Sequence, residues 1–366
     1  AMFLGSAAEF AQRYVQTPVL QAAVATDGII GTFAGPRDPG TGYVLAHHYA
    51  GYAFGIQGAW GYVRGGMGTI SNAIAASARA RGAQIRTEAA VSGVTVRDHR
   101  ATGVVLEDGS ELEADAILSN AAPKTSFLRL LPAGTLDAAF TTRVQAWKDE
   151  GPVVKLNLAL GELPVFTARP MREAGPWHNA TIHIAPDIDY IQRAFEDAAR
   201  GLPSDQPFLE MYLQSPNDAS IAPPGKHLLS IFSQYFPYQR ADGEWTDAKK
   251  KAAADSILGV LAQYAPNVTD AIEGMQLFTP PDLERRFNLP RGHIFHGELL
   301  PGQIFEHRFA SATPLAGFYL CGSGAHPGGC VSGIPGWRAA RALLRDRELA
   351  VSQAQARPAT SSATFR

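Results

Sequence analysis

"GFYLCGSGAHPGGCVSGIPGWRAA", residues 317–340, is the stretch that decides how the chain is read. Phe318, Tyr319 and Leu320 form an apolar run that predicts a strand. Six glycines follow between 322 and 336, and a helical pattern is expected from Trp337 to Leu349 with Ala340, Leu343 and Leu344 inward. Glycine removes the Cβ that blocks close approach, and a helix start gathers N–H groups at the positive end of its dipole. Strand, glycine turn and helix start together predict contact with an anion or a polar ring. One isolated G-x-G would read as a tight structural turn. The density of glycines and the hydroxyl of Ser323 favour a ligand here.

The rest of the composition sets bounds. With 366 residues, 46% apolar and 18% charged, the chain is long enough for two ordinary domains with a sizeable core. A net charge of −2 gives no electrostatic reason to expect nucleic acid or an acidic membrane surface. No apolar run approaches the roughly 20 residues of a transmembrane helix. Cys321 and Cys330, with His326 as the only nearby further ligand, fall short of a zinc set, so no metal is expected. So few cysteines favour a reducing cytoplasm. Ala1-Met2 reads as a start that is not the natural one.

Upstream, residues 1–22 read as a helix broken at Pro18, and 27–66 as a glycine-rich region interleaved with Tyr52, Phe54, Trp60 and Tyr62. Those aromatics suit either core packing or the lining of an apolar tunnel. Gly68-Thr69 opens an amphipathic helix with Ile70, Ala73, Ile74 and Ala78 on one face and Gly82 as its cap. Ile85, Thr87, Ala89 and Val91 alternate as in a strand, and Asp108-Gly109 marks a hairpin within a three-stranded meander. Beyond 123, "PVVKLNLALGELP", "PFLEMYLQSP" and "HLLSIFSQYFP" read as strands of a larger mixed or antiparallel sheet. Residues 246–265 predict a helix with Ala254, Ile257, Leu258, Leu261 and Tyr264 on one face. The polar tail 351–366 is expected to be disordered.

Three segments carry a family resemblance. The opening stretch resembles the C-terminal flavin-binding signature of phytoene desaturase-like FAD oxidoreductases. "GGMGTISNAIAASARARGAQIRTEAAVSGVTVRDHRATGVVLEDGSELEADAILSNAAP", residues 65–123, resembles the FAD-domain segment of the same family. "TPPDLERRFNLPRGHIFHGEL", residues 279–299, is similar to the branch that includes pyridine nucleotide-disulphide oxidoreductase domain-containing protein 2.

The resemblance implies an α/β fold: a truncated FAD-binding, glutathione reductase-like domain plus a substrate domain with a mixed or antiparallel sheet and helices. It divides the chain into a cap region (1–60), an FAD-domain remainder (61–122), a substrate domain (123–316), the FAD-binding strand, loop and helix (317–350) and the tail. Gly322, Ser323, Gly324, His326, Pro327 and Gly328 would approach the FAD, Ser323 near its ribityl or diphosphate part. Gly329, Val331 and Gly333 would face the pyrimidine end of the ring, Val91 the adenine, and Asn120 would close the strand leading from that pocket. Arg64, Gly65, Gly66 and Met67 would sit by the ring or diphosphate. Cys330 departs from the family, whose members usually have a third glycine there.

These flavoproteins also open with a strand, G-x-G-x-x-G and a helix, and no such fingerprint occurs in this sequence. The chain is therefore expected to lack its first mononucleotide unit and to hold FAD weakly or not at all. The implied activity is hydride transfer to flavin from an apolar or amine-bearing small molecule. His293, His296 and Gln303 are the acid–base candidates, with His326, His47 and His48 behind them and His178 and His183 as structural residues. "DLERRF" (282–287) reads as a solvated helical turn. The alternative is a non-catalytic binding or scaffold protein that kept the fold without the cofactor. A small-molecule substrate is the expected partner, leaving a homo-oligomer open.

Overall fold

A reciprocal cap starts the first helix in the structure, a computed structural model that describes residues 2–356. The Glu9 amide donates to Ser6 Oγ and the Ser6 amide to Glu9 Oε2, both at 3.0 Å. Two helix-end donors are thereby satisfied, and α1 (Ala7–Tyr14) begins. The helical stretch is interrupted just before Pro18, which itself opens α2 (Pro18–Thr26), where its missing N–H is one the helix start leaves unbonded anyway. Next come α3 (Thr41–Tyr49), a short hairpin of β1 (Tyr52–Ala53) and β2 (Ile56–Gln57), and α4 (Gly68–Arg79). Tyr52, Phe54, Trp60 and Tyr62 are all exposed, so ordinary core packing is not their role. Gly82 (φ +89°) caps α4 as expected, its amide donating to Arg79 O. No residue of α4 is buried, and Ile74 on its apolar face is 63% exposed.

The expected strand at 85–91 starts only at Val91. β3 (Val91–Arg97), β4 (Arg100–Leu106) and β5 (Glu111–Glu113) form an antiparallel meander, with Asp108-Gly109 at the second turn and Gly109 at φ +83°. β6 (Ile117–Ser119) and α5 (Ala138–Gln145) follow, the latter capped by Asp137, which accepts from the Phe140 amide at 2.7 Å.

The chain then lays down β7 (Val154–Leu160), β8 (Ile182–Ile184), α6 (Ile188–Ala199), β9 (Phe208–Leu213) and β10 (His227–Gln234). α7 (Asp247–Tyr264), α8 (Val268–Ala271), β11 (Ile272–Phe278) and α9 (Pro280–Phe287) complete this part. The five strands form one antiparallel sheet in the order β11-β7-β10-β9-β8. Strand periodicity puts Val154, Leu156, Leu158 and Leu160 on one face, all fully buried in a core shared with Ile257 and Leu261 of α7. Each such side chain contributes roughly 1.5–3 kcal/mol of burial. Tyr264, expected on that helix face, is exposed instead.

β12 (Phe318–Leu320) pairs in parallel with β6, and α10 (Ile334–Ala356) closes the described chain. Pro335 and Ala339 are buried; Ala340 and Leu344 are exposed and Leu343 half-buried, one position off the expected register. Residues 351–356, expected to be disordered, continue the helix, and 357–366 lie outside the described residues.

By contacts the chain divides into two compact units, one from residues up to 87 and 148–303, the other from 88–147 and 304 onward. The expected boundaries at 60, 122 and 316 do not coincide with these. Residues 61–87, α4 included, fall in the first unit; 123–147 and 304–316 fall in the second, where Phe127, Val144, Trp147, Phe309 and Phe318 build its core. The first unit carries the antiparallel sheet, the second the meander and the parallel β6–β12 pair.

Candidate functional site

The glycine loop begins where β12 ends. The Cys321 amide donates to Ser119 O at 2.9 Å, extending the pairing with β6 by one residue. At Gly322 a Cβ would lie 2.5 Å from both the carbonyl and the side-chain oxygen of Asn120, so only glycine lets the two backbones touch. Asn120 and Gly322 are thus brought together. Gly324, Gly328 and Gly329 are buried, while Ser323, His326 and Pro327 are half-buried.

Arg308 fixes this half of the loop. Its Nη2 and Nε donate to Ser323 O at 2.7 and 3.2 Å, and its guanidinium lies 5.8 Å from the Trp147 ring centre. A buried arginine clamping a carbonyl twice is a strong positioning device, and sequence reasoning missed it, because a lone arginine in "EHRFA" has no motif around it. The His326 amide donates to Phe309 O at 2.8 Å, and its buried Nδ1 has no hydrogen-bond partner. Burial, then Arg338 and Arg308, push this imidazole below its usual range, so it is neutral at pH 7.

The second half is open. Cys330, Val331, Ser332, Gly333 and Ile334 are exposed, and a Cβ at Gly333 (φ +68°) would meet nothing within 4 Å. Cys330 sits at φ +75°, a left-handed angle that explains why glycine suits this position. Both cysteines are free thiols. Val91, at the edge of β3, is part-exposed in the same unit. The pyrimidine edge of a flavin needs N–H donors unobstructed by Cβ and an apolar wall beside them. Gly333 at the start of α10, with exposed Val331 and Ile334, fits that part of the group.

In the first unit, Gly65 (φ +83°) and Gly66 (φ +87°) turn the chain into α4, and the Gly65 amide donates to Asp218 Oδ2 at 2.5 Å. Arg64 and Met67 are exposed beside them. Gln303 is spent on structure: its Oε1 accepts from the Lys148 amide at 2.7 Å and its Nε2 donates to the Lys148 carbonyl at 2.9 Å. His293 is fully buried, with Nδ1 accepting from the Phe295 amide and Nε2 3.5 Å from Glu298. His296 is half-buried at φ +57°. His48 is buried and held at about pKa 4 by desolvation, its Nδ1 2.8 Å from Val44 O. The "DLERRF" turn is not merely solvated: Asp282 is buried and engages Lys250, Thr279 and Arg285.

The sheet face opposite the core carries a polar cluster that the sequence did not announce. Lys155 Nζ donates to Ser230 Oγ at 2.5 Å, and Ser230 passes the chain to Asn157 Oδ1 at 3.1 Å. Burial lowers Lys155 to about 8, with Glu210 opposing the shift. Glu210 accepts from Tyr212 and lies 3.2 Å from His183 Nε2. Burial raises Asp27, a neighbour of Glu210 and His183 in this field, and Tyr49 opposes that rise by donating to it. The strand period of two is visible in β7, yet which face meets helix and which stays polar depends on residues tens of positions away. Among the described residues no group of three metal-binding side chains forms, and no helix is long and apolar enough to cross a membrane.

A strand, a glycine turn packed on a neighbouring strand end and a helix start in one unit, and an antiparallel sheet with a polar face in the other, describe a flavin-oxidoreductase type of chain. The model of the family described as flavin containing amine oxidoreductase matches residues 17–344, and the chain belongs to that family. Among its relatives, mouse pyridine nucleotide-disulfide oxidoreductase domain-containing protein 2 is 43% identical over 346 residues, covering 92% of this chain and 59% of that protein. A lycopene-forming phytoene desaturase of Paracoccus is 26% identical, covering 80% of this chain and 56% of that protein. A putrescine oxidase solved with putrescine shares the fold at TM-score 0.59 and 15% identity, over 95% of this chain and 68% of that one. The chain spans less than two thirds of the length of these curated relatives.

Proposed function

We propose that the chain forms the flavin-ring and substrate-binding part of an FAD-dependent oxidoreductase acting on an amine-bearing or apolar small molecule. The observation that carries this reading is the loop after β12, pressed onto Asn120 at Gly322 and open at Gly333 where α10 starts. When bound, FAD supplies the two-electron acceptor for hydride. Gly329, Val331 and Gly333 would hold the pyrimidine edge, where the helix start favours negative charge. Gly322 to Gly328 would run beside the ribityl and diphosphate, Val91 by the adenine, and Arg64 to Met67 by the ring or diphosphate. A glutathione reductase-like FAD domain without its first mononucleotide unit belongs to the same reading. Of the acid–base candidates, His296 and His293 stand ahead of Gln303, whose amide already holds Lys148. The polar sheet face around Lys155, Glu210 and His183 is the surface to which we assign substrate recognition.

Because no G-x-G-x-x-G occurs in these 366 residues, several phosphate contacts worth roughly 1.5–3 kcal/mol each are missing from the chain itself. Titrating the chain with FAD and following flavin absorbance and fluorescence tests this. Weak binding is expected, further weakened by Gly333→Glu, which places bulk and negative charge at the helix start. A yellow, stoichiometric protein on purification would refute weak binding, and an unchanged affinity in Gly333→Glu would refute the loop assignment. Failure to bind FAD at any concentration favours the scaffold reading instead.

A further inference from the structure

A cleft of about 700 Å³ lies between α10 and the segment 310–312, within the second unit. That volume suits a small organic ligand, for which pockets run about 300–1,000 Å³. One wall is fixed to the β6–β12 pair: the Leu320 amide donates to Ser311 O at 2.8 Å, and Ala312 bridges to Tyr319. Ser311 lines this wall, is 7% exposed, and its Oγ is buried without a hydrogen-bond partner.

The other wall is a stripe of α10. Arg338, Arg341 and Arg345 follow at spacings of three and four, which puts three guanidinium groups on one helix face. Like charges so spaced repel one another. Arg338 and Arg341 have no carboxylate within 4 Å among the described residues, Arg345 has Asp346 at 3.6 Å, and Glu348 is the only acid in the lining. The cleft therefore carries a surplus of positive charge. At its mouth Trp337 is 58% exposed, and the Arg341 guanidinium lies 4.8 Å from its ring centre. An indole and a guanidinium plane beside unpaired arginines make a platform for an aromatic ring that bears phosphate.

We propose that this cleft binds a nucleoside phosphate, its base on Trp337 and Arg341 and its phosphates on Arg338 and Arg345. None of these residues belongs to the set assigned to FAD above, so the site stands or falls separately from that assignment.

Isothermal titration of the 366-residue chain with ADP, adenosine and pyrophosphate tests it. ADP is expected to bind once, with Kd on the order of 10–100 μM, and at least about tenfold more tightly than either adenosine or pyrophosphate. Arg345→Glu and Arg341→Ala should each weaken ADP about tenfold or more, with the thermal unfolding temperature unchanged in both. Absence of ADP binding overturns the proposal. So does ADP affinity that these variants leave unchanged, which would place the nucleotide elsewhere. Pyrophosphate binding as tightly as ADP also overturns it, leaving an anion site without a base platform.

Discussion

Cys330 occupies a backbone angle of +75° that L side chains rarely adopt, within a loop otherwise turned by glycines. Left-handed backbone costs a non-glycine residue roughly 1–2 kcal/mol, partly offset by the greater freedom glycine loses on folding. Cys330→Gly is therefore expected to raise stability by about 1 kcal/mol, read as a higher midpoint in thermal denaturation; a lower midpoint would show that the thiol's packing outweighs the strain. Lys155 gives a second residue-scale prediction. Its amine is lowered to about 8 in the folded chain, so between pH 8 and its ordinary 10.5 the unfolded state holds more protons and stability rises with pH. Lys155→Met is expected to be more stable than the parent near pH 7 and to lose that pH dependence in urea titrations. The loop was legible at this scale because glycine announces itself. Arg308 was not, because no motif surrounds it, and neither were Asp218 and Lys155, whose partners lie far off in sequence; Asp218 meets Gly65 across 153 positions.

Among the elements, periodicity identified the helices at 68–79 and 247–264, the Asp108-Gly109 hairpin and the strands of the main sheet. It did worse at saying what covers them. α4 has a convincing apolar stripe that nothing described here covers, and the stripe of α10 is displaced by one residue. Burial is a property of the partner, which a local pattern does not contain. The start of α9 shows the same effect in a charged residue. Burial alone would raise the Asp282 carboxyl, yet Lys250 and Thr279 outweigh it and hold the group at about 2. Since that value lies below the ordinary 3.8, the stabilisation is full above about pH 4 and is lost as pH falls through 2. Asp282→Asn should destabilise the protein by about 1–3 kcal/mol at pH 7 and by progressively less in acid, measured by urea unfolding at each pH. A difference that persists undiminished at pH 2 would count against the ion pair.

At the scale of the molecule, the family was legible from three segments in the expected order, whereas the unit boundaries were not, since they depend on contacts between distant stretches. The antiparallel sheet is the main store of stability in the first unit, and β7 lies between two neighbours there. Leu158→Ala, at a fully buried site on that strand, is expected to cost about 2–5 kcal/mol in urea unfolding; a loss below 1 kcal/mol would mean that the core collapses around the gap. The polypeptide passes between the two units at 87/88, 147/148 and 303/304. No single stop codon or start site can therefore deliver either unit alone. A gene for the first must splice out its interior stretch, and ribosomal synthesis must finish beyond β11 before that sheet acquires its last edge.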